Sequence, residues 1–281
     1  MSFSYKSLKI DELTIKIGAE KPFSVLHVTD SHLARFDPEK PCTRFEDIRD
    51  DIDRYFAESC EFCRERNMIM LHTGDVVDFV SEANFDYMKQ CFEGVDYICA
   101  TGNHEFCHWV GDATENQQYK WRMLSRVGKH FRCNMHFDSR VVNGVNFVTV
   151  DNGYYMFTEG QLEMLKAEAA RGLPIVLCMH TPIYTPALAK KAIDSGTPAY
   201  LVATPLEIIE TYRESYRRFQ QEADDITLRT VEYIKTEPMI KAIIAGHLHR
   251  PEPFDDELCA GKMQYVGSGG FEGVARVISF E

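Results

Sequence analysis

Residues 23–32 have the sequence FSVLHVTDSH, and this stretch decides the fold. The apolar run from Phe23 to Thr29 predicts a buried β-strand, which ends abruptly in Asp30-Ser31-His32. Helical patterns at about residues 43–66 and 81–93 separate this strand from the next two. Because strands and helices alternate, the sequence predicts a layered α/β domain. The other predicted buried strands are Met68 to Thr73, Tyr97 to Thr101, Val145 to Val150, Ile175 to Met179 and Ile240 to Ala245.

Three further strands are predicted near residues 136–143, 263–266 and 274–280. The last two have no long helix between them, which is typical of antiparallel pairing. We therefore expect a more antiparallel region at the C-terminus.

Composition and charge exclude several classes of protein. The 281 residues are 44% hydrophobic and 26% charged, so the chain can bury a core. With 31 basic and 43 acidic side chains, the net charge of −12 disfavours binding to extended nucleic acid. The nine cysteines are scattered, and no signal peptide or apolar run of about 18 residues is apparent. We expect reduced thiols, a cytoplasmic location and no membrane contact.

Five predicted strands run out into polar residues that could bind metal. In open α/β sheets, ligands bind at the carboxyl ends of the strands. Residues i and i+2 of an extended segment project to one side, so Asp30 and His32 can face one cavity, as can His247 and His249. Carboxylates and imidazoles with one amide suit Zn, Mn or Fe. The five ends are Asp30-Ser31-His32, Gly74-Asp75-Val76-Val77-Asp78, Gly102-Asn103-His104-Glu105, His180 and Gly246-His247-Leu248-His249.

The ordered set D-x-H, G-D-x-x-D, G-N-H-E, H and G-H-x-H, over residues 30–249, resembles the calcineurin-like metallophosphoesterase family. This resemblance implies a two-layer mixed β-sandwich flanked by helices, with two divalent ions at the strand ends. One ion would be held by Asp30, His32, Asp75 and His249, and the other by Asp75, Asn103, His180 and His247. Asp75 would therefore bridge the two ions.

The resemblance also implies a reaction. Hydroxide held between the two ions would attack phosphorus, so no protein nucleophile is needed. His104 would be the general acid for the leaving oxygen, and Asp78 would orient it, whereas Glu105 would support the turn. The expected substrate is a small phosphomonoester or phosphodiester, such as a nucleotide or a cyclic nucleotide.

Two alternatives stay open. The chain could be a catalytically inactive scaffold with the same fold, or a nuclease that acts on short oligonucleotides. Five histidines fall outside the motifs and are expected to be structural or exposed: His27, His72, His108, His130 and His136.

The segment at about residues 181–238 is longer than an ordinary connection between strands and has a charged helical pattern from about 205 to 235. It starts directly after His180 and ends just before the strand that leads to His247. We expect a single domain over residues 1–281, with this segment as an insertion near the active site.

Overall fold

The computed structural model describes residues 2–107, 117–194, 198–213 and 215–281. The strands are β1 (Ser2–Tyr5), β2 (Leu8–Ile15), β3 (Phe23–Val28), β4 (Ile69–Thr73), β5 (Tyr97–Ala100), β6 (Phe137–Val142), β7 (Val145–Val150), β8 (Ile175–Met179), β9 (Ile240–Ala245), β10 (Phe254–Cys259), β11 (Lys262–Val266) and β12 (Val274–Phe280). The α-helices are α1 (Arg49–Arg66), α2 (Glu82–Phe92), α3 (Gln117–Gly128), α4 (Glu159–Ala169), α5 (Pro186–Asp194), α6 (Leu206–Ile209), α7 (Ser215–Gln221) and α8 (Asp225–Thr236).

The strands form two six-stranded mixed sheets. Sheet one has the order β1-β2-β12-β3-β4-β5, and sheet two has the order β10-β11-β9-β8-β7-β6. Strands β3, β4 and β5 are parallel to one another, and so are β7, β8, β9 and β11. Each parallel set thus gathers the carboxyl ends of its strands at one edge, where the polar residues of the sequence lie.

The sheets pack face to face around a shared apolar core, and helices cover their outer faces. Phe147 of sheet two packs between the sheets against Phe280 of sheet one, with ring centroids 5.3 Å apart. Apolar residues of α1, α2 and α3 pack on sheet one, whereas those of α4 and α8 pack on sheet two. The fold is the α/β two-layer sandwich with flanking helices that the resemblance implied.

Two arginine–aspartate pairs join the sheets. Arg276 of β12 binds both carboxylate oxygens of Asp255 in β10, at 2.5 and 2.8 Å. Arg140 of β6 binds both oxygens of Asp96, the residue before β5, at 2.6 and 2.5 Å. Each pair links a strand of one sheet to the other sheet, with the paired geometry that a planar guanidinium allows.

The expectation for the C-terminus is only partly confirmed. Strand β11 pairs antiparallel with β10 but parallel with β9, and β12 pairs antiparallel with β3 but parallel with β2. The two strands lie in different sheets because the turn between them crosses from sheet two to sheet one. Strands β1, β2 and β10 were not predicted.

The helix predicted at 81–93 and the state of the cysteines agree with the expectations from the sequence. The predicted helix at 81–93 is α2, and its preceding Ser81 hydroxyl accepts from the backbone N–H of Asn84 as an N-cap. All nine cysteines are free thiols, and Cys60 and Cys63 are buried on one face of α1. In the described parts of the chain, no helix is both long enough and apolar enough to cross a lipid bilayer.

Candidate metal centre

The first cluster of possible metal ligands joins the ends of β3, β4 and β9. One ligand atom from each of Asp30, His32, Asp75 and His249 lies within 4.8 Å of the others. Nε2 of His249 is 2.8 Å from Nε2 of His32 and 3.1 Å from Oδ1 of Asp30. Oδ2 of Asp75 is 3.7 Å from Nε2 of His32. We call these four residues the first half-site.

The second cluster consists of Asp75, His180 and His247 and joins the ends of β4, β8 and β9. Nε2 of His180 is 3.1 Å from Oδ2 of Asp75 and 3.0 Å from Nδ1 of His247. We call these three residues the second half-site. Asp75 belongs to both clusters through the same oxygen, Oδ2.

Three oxygens at the centre are buried and accept no hydrogen bond of good geometry from the described residues, although imidazole nitrogens lie 3.1 Å from the first two: Oδ1 of Asp30, Oδ2 of Asp75 and Oδ1 of Asn103. The other oxygens of the two carboxylates are occupied. Oδ2 of Asp30 accepts from the Thr29 hydroxyl and the His247 amide, and Oδ1 of Asp75 accepts from the His104 amide. Buried carboxylate oxygens without donors are costly unless a cation binds them. The residues present therefore fit divalent metal.

Three of the four histidines in the two clusters are held by a contact on the nitrogen that faces away from the cluster. Nδ1 of His32 is 2.9 Å from the carboxylate of Asp78, and Nδ1 of His180 is 2.8 Å from the carbonyl oxygen of Thr73. Nε2 of His247 is 3.0 Å from the hydroxyl of Tyr155. In each case the other nitrogen faces the cluster, which is the arrangement that orients imidazole ligands of metals.

His104 lies beside the clusters rather than within them. Its Nε2 is 4.0 Å from Oδ2 of Asp75, and its Nδ1 is 2.7 Å from the carbonyl oxygen and 3.3 Å from Oδ1 of Asp78. With 13% of its side chain exposed, His104 can reach a molecule bound over the centre. His32, Asp78 and His104 also converge as a third group, but Nε of Arg44 lies 2.9 Å from the second oxygen of Asp78. Asp78 is thus surrounded by protein cations and donors.

Burial and neighbouring charges shift the pKa values of the centre in opposite directions, and the charges dominate. Burial lowers the pKa of His104, but the charges of Asp75 and Asp78 raise it by more, to about 10. Burial raises the pKa of Asp30, but its contacts with His249 and His32 hold that pKa well below its usual range. The pKa of Asp75 is likewise lowered by His180, so Asp30 and Asp75 are both ionised, and the imidazole of His104 is protonated at neutral pH.

The backbone of the centre is strained. Five residues have φ between 47° and 72°, the left-handed region that non-glycine residues rarely adopt: Asp30, His32, Asp75, His247 and His249. Such strain is maintained only where the surrounding structure imposes it, and it concentrates at functional sites.

Glycine is required where the turns approach one another. A Cβ on Gly102 would lie 2.1 Å from Oδ1 of Asp75, and a Cβ on Gly246 would lie 1.8 Å from the Thr29 hydroxyl. The buried carboxylate of Glu105 accepts backbone N–H groups from Gly102, Asp75 and Val76, at 2.7, 3.0 and 2.6 Å. Glu105 therefore supports the turns and does not face the clusters.

The sequence reasoning missed a sixth strand end, the turn at Asp151–Tyr155 after β7. Oδ1 of Asn152 accepts from the backbone amides of His180 and Thr181, at 3.1 and 3.0 Å. A Cβ on Gly153 would lie 2.6 Å from the backbone of Gly102, so this turn also packs against the one that carries Asn103. The apolar strand followed by Asp-Asn-Gly was the available signal.

Four of the histidines outside the motifs lie in the described residues, and His108 lies outside them. His27 and His72 are buried, which lowers the pKa of each to about 3. Nε2 of His72 is 2.9 Å from the hydroxyl of Ser31, so it supports the first turn. His130 stacks on Phe85, and His136 is half-buried.

Among the described residues of the segment at 181–238, those that meet the centre lie in its first part. The ring of Tyr200 lies edge-on to His247, with centroids 6.0 Å apart, and Tyr184 packs with Leu248 in a small apolar cluster. Helix α8 instead packs on sheet two and forms the crossover between the parallel strands β8 and β9. On α8, Arg229 pairs with Glu159 at an exposed position.

The sequence model for "calcineurin-like phosphoesterase" matches residues 23–251. No curated protein sequence matches the chain. Among solved structures, a dimetal phosphatase from Danio rerio is 13% identical, with a TM-score of 0.55 over 89% of this chain and 88% of that one. A phosphopantetheinyl hydrolase from Mycobacterium tuberculosis is 11% identical, with a TM-score of 0.44 over 89% and 90%. A calcineurin-like phosphoesterase from Bacillus subtilis is 15% identical, with a TM-score of 0.42 over 89% and 82%.

Proposed function

We propose that this chain, which belongs to the calcineurin-like phosphoesterase family and is a metal-dependent phosphoesterase, hydrolyses a small phosphomonoester or phosphodiester at a centre of two divalent ions. The observation that carries the proposal is that buried oxygens of Asp30, Asp75 and Asn103 accept no hydrogen bond of good geometry. They lie at the same strand ends as the clustered histidines. The Danio rerio protein that shares the fold is a dimetal phosphatase, which is the same class of activity.

The proposed ligands follow the two half-sites. One ion is assigned to the first half-site, and the other is assigned to the second half-site together with Asn103. The shared Oδ2 of Asp75 supports a bridging role, because it lies near a histidine of each cluster. The set of carboxylate, imidazole and amide donors favours Mn, Fe or Zn.

When bound, the ions would supply Lewis acidity, which lowers the pKa of water and stabilises charge on the phosphate. The chain supplies the proton. As an imidazolium, His104 donates Nδ1–H to the Asp78 carbonyl oxygen and has a second proton on Nε2, which is the proton that it would give to the leaving oxygen. Asp78 orients His104 and His32 together, since Oδ1 contacts Nδ1 of both.

A small substrate suits the charge distribution. The chain carries a net charge of −12, so a long polyanion is repelled, whereas the centre itself would be locally cationic once loaded with metal. We propose nucleotides and cyclic nucleotides as the first candidates within this class.

We also propose that residues 1–281 form one domain and that the insertion at about 181–238 sets substrate choice. The contact between Tyr200 and His247 supports this role for the first part of the insertion. Replacing residues 186–223 with a short loop that still folds should leave metal content unchanged while discrimination among natural substrates falls. An unchanged substrate ranking would move the specificity determinants to the loops after Asp30, Asp78 and Glu105.

The proposed function is tested by elemental analysis of the purified protein, followed by a phosphate-release screen. The screen would cover monoesters, diesters, cyclic nucleotides and short oligonucleotides, each with Mn²⁺, Zn²⁺ or Fe²⁺. We expect two metals per chain and turnover of small esters. Metal binding without turnover of any phosphate ester, or turnover of oligonucleotides alone, would overturn it.

A further inference from the structure

Tyr155 has no place in the proposed function, yet its hydroxyl contacts a proposed metal ligand. The Tyr155 hydroxyl oxygen is 3.0 Å from Nε2 of His247, and the two rings meet edge-on with centroids 5.5 Å apart. Tyr155 is 3% exposed, so the hydroxyl lies away from bulk water. The contact is therefore part of the buried support of the centre.

The contact decides which nitrogen of His247 carries a proton. Nδ1 of His247 faces the cluster, 3.0 Å from Nε2 of His180, and it belongs to the group with Asp75 that could hold a metal. A neutral imidazole has one N–H, so binding a metal through Nδ1 requires the proton on Nε2. In the described structure the Tyr155 hydroxyl oxygen lies 3.0 Å from that Nε2, and it would accept a hydrogen bond from Nε2–H.

The turn that carries Tyr155 holds the second half-site from two directions. Tyr155 has φ of 64°, and its amide donates to the carbonyl oxygen of Asn152 at 2.8 Å. The side chain of Asn152 holds the backbone of His180, and the side chain of Tyr155 holds the ring of His247. A turn without a proposed ligand thus positions both histidines of this half-site.

We propose that Tyr155 is a positioning residue that holds His247 in the tautomer able to bind metal through Nδ1, and so sets the metal affinity of the second half-site. The inference rests on the proposed function, because metal binding at this half-site is part of that proposal. It extends the proposed function to a residue outside the proposed set of metal ligands.

A phenol differs from the groups that hold the other two histidines. The Asp78 carboxylate and the Thr73 carbonyl can only accept a hydrogen bond, whereas the Tyr155 hydroxyl can accept or donate. With metal bound it accepts from Nε2–H of His247. Without metal it can donate to Nε2, which leaves the proton on Nδ1 to bridge to His180. Removing the hydroxyl leaves a buried N–H without a partner in the metal-bound state, a loss that typically lowers metal affinity by about 10–100-fold.

The test compares Tyr155→Phe with Tyr154→Phe. Both substitutions remove one hydroxyl from a buried tyrosine of the same turn, but the Tyr154 ring packs near Nζ of Lys120, at 4.9 Å, rather than against His247. Metal-free wild type and both variants are titrated with Mn²⁺ by calorimetry, and bound metal is counted after dialysis. Phosphate release is measured over a range of Mn²⁺ concentrations.

We expect Tyr155→Phe to lose about 10–100-fold in affinity at one of two sites, with wild-type affinity at the other and turnover restored at saturating Mn²⁺. Tyr154→Phe should match wild type. Unchanged titrations of Tyr155→Phe, an equal loss at both sites, or the same loss in Tyr154→Phe would overturn the inference. Wild-type protein that binds no Mn²⁺, Zn²⁺ or Fe²⁺ would overturn the proposed function, and the inference with it, whereas a metal-binding wild type with an unaffected Tyr155→Phe overturns the inference alone.

Discussion

The two half-sites differ in the charge that surrounds them. The first half-site contains the carboxylate of Asp30, and its His32 is held from behind by the carboxylate of Asp78. In the second half-site, His180 and His247 are held by neutral groups, a backbone carbonyl and a phenol. Only Asp75 contributes a carboxylate to both. The strand ends of one fold thus carry two unequal clusters of possible metal ligands side by side.

This difference predicts an order of metal affinity. A carboxylate behind an imidazole raises the basicity of the ligand, and an additional anionic donor strengthens attraction for a cation. We expect the first half-site to retain its ion longer than the second when the protein is dialysed against a chelator.

Replacing Asp75 should have the largest effect because it acts on both half-sites. Asp75→Asn keeps the shape but removes the shared anion, and an uncompensated change in buried charge costs about 3–5 kcal/mol. We expect metal stoichiometry to fall at both half-sites and turnover to fall with it, by roughly 10²–10⁴-fold.

The matched control for Asp75→Asn is Asp96→Asn, since Asp96 lies before β5, at the opposite end from the proposed centre, and pairs with Arg140. This variant should keep both metals. Wild-type turnover of Asp75→Asn with two metals bound would remove Asp75 from its bridging role.

Replacing His104 should lower turnover without altering either half-site. His104→Asn is expected to keep both metals but to reduce kcat by about 10²–10⁴-fold for esters with poor leaving groups, the usual range for a lost general acid. A nitrophenyl phosphate needs less protonation, so its loss should be smaller. Equal losses on the two substrates would contradict general-acid catalysis by His104.

Asp78→Asn should weaken the first half-site selectively. Asp78 contacts Nδ1 of His32 at 2.9 Å, and His32 belongs to the first half-site only. Loss of a carboxylate behind a metal-binding histidine typically costs about 10–100-fold in affinity. Calorimetric titration of Asp78→Asn should therefore show weaker binding at the site that Tyr155→Phe leaves unchanged. The same site affected in both variants would refute the assignment of separate supports.

The sequence predicted the strands of the interior well because both of their faces are buried. The predicted bounds of β7, β8 and β9 match those observed, and every residue of β7 and β8 is buried. Strands β2 and β10 lie at or next to sheet edges. Strand β2 mixes buried with exposed or half-buried residues, β10 has a single buried residue, and both contain Asp and Glu, so no apolar run marks them. A strand that is buried on both faces can be recognised in the sequence as a continuous apolar run, whereas a strand that is buried on one face has no such run and is harder to recognise.

The sequence predicted which residues come together at the candidate centre and that Glu105 supports a turn there, but it did not predict the support from the turn after β7. Motifs such as Asp30-Ser31-His32 combine a predicted strand with residue types that bind metal, so local sequence identifies them. Asn152 and Tyr155 act on His180 and His247, which are 28 and 92 residues away along the chain. Contacts of this kind depend on which strands become neighbours, and no local pattern records that.

The part of the insertion around Tyr200 should influence the second half-site, whereas α8 should not. Substitutions in the insertion should have smaller effects on turnover than those at Asp75, His104 or Asp78. Tyr200 meets His247 edge-on, with centroids 6.0 Å apart, whereas Arg229 pairs with Glu159 where both side chains are more than half exposed. Exposed ion pairs contribute little to stability, so Arg229→Ala should leave stability, metal content and turnover close to wild type. Tyr200→Ala removes an aromatic ring beside a proposed ligand and should change KM several-fold for natural substrates, while metal titrations remain unchanged because the ring binds no metal. Steady-state kinetics on a panel of nucleotides and on nitrophenyl phosphate would separate the two variants. If Arg229→Ala altered the ranking of substrates and Tyr200→Ala did not, the part of the insertion that governs specificity would be α8, and the contact with His247 would have no role in substrate choice.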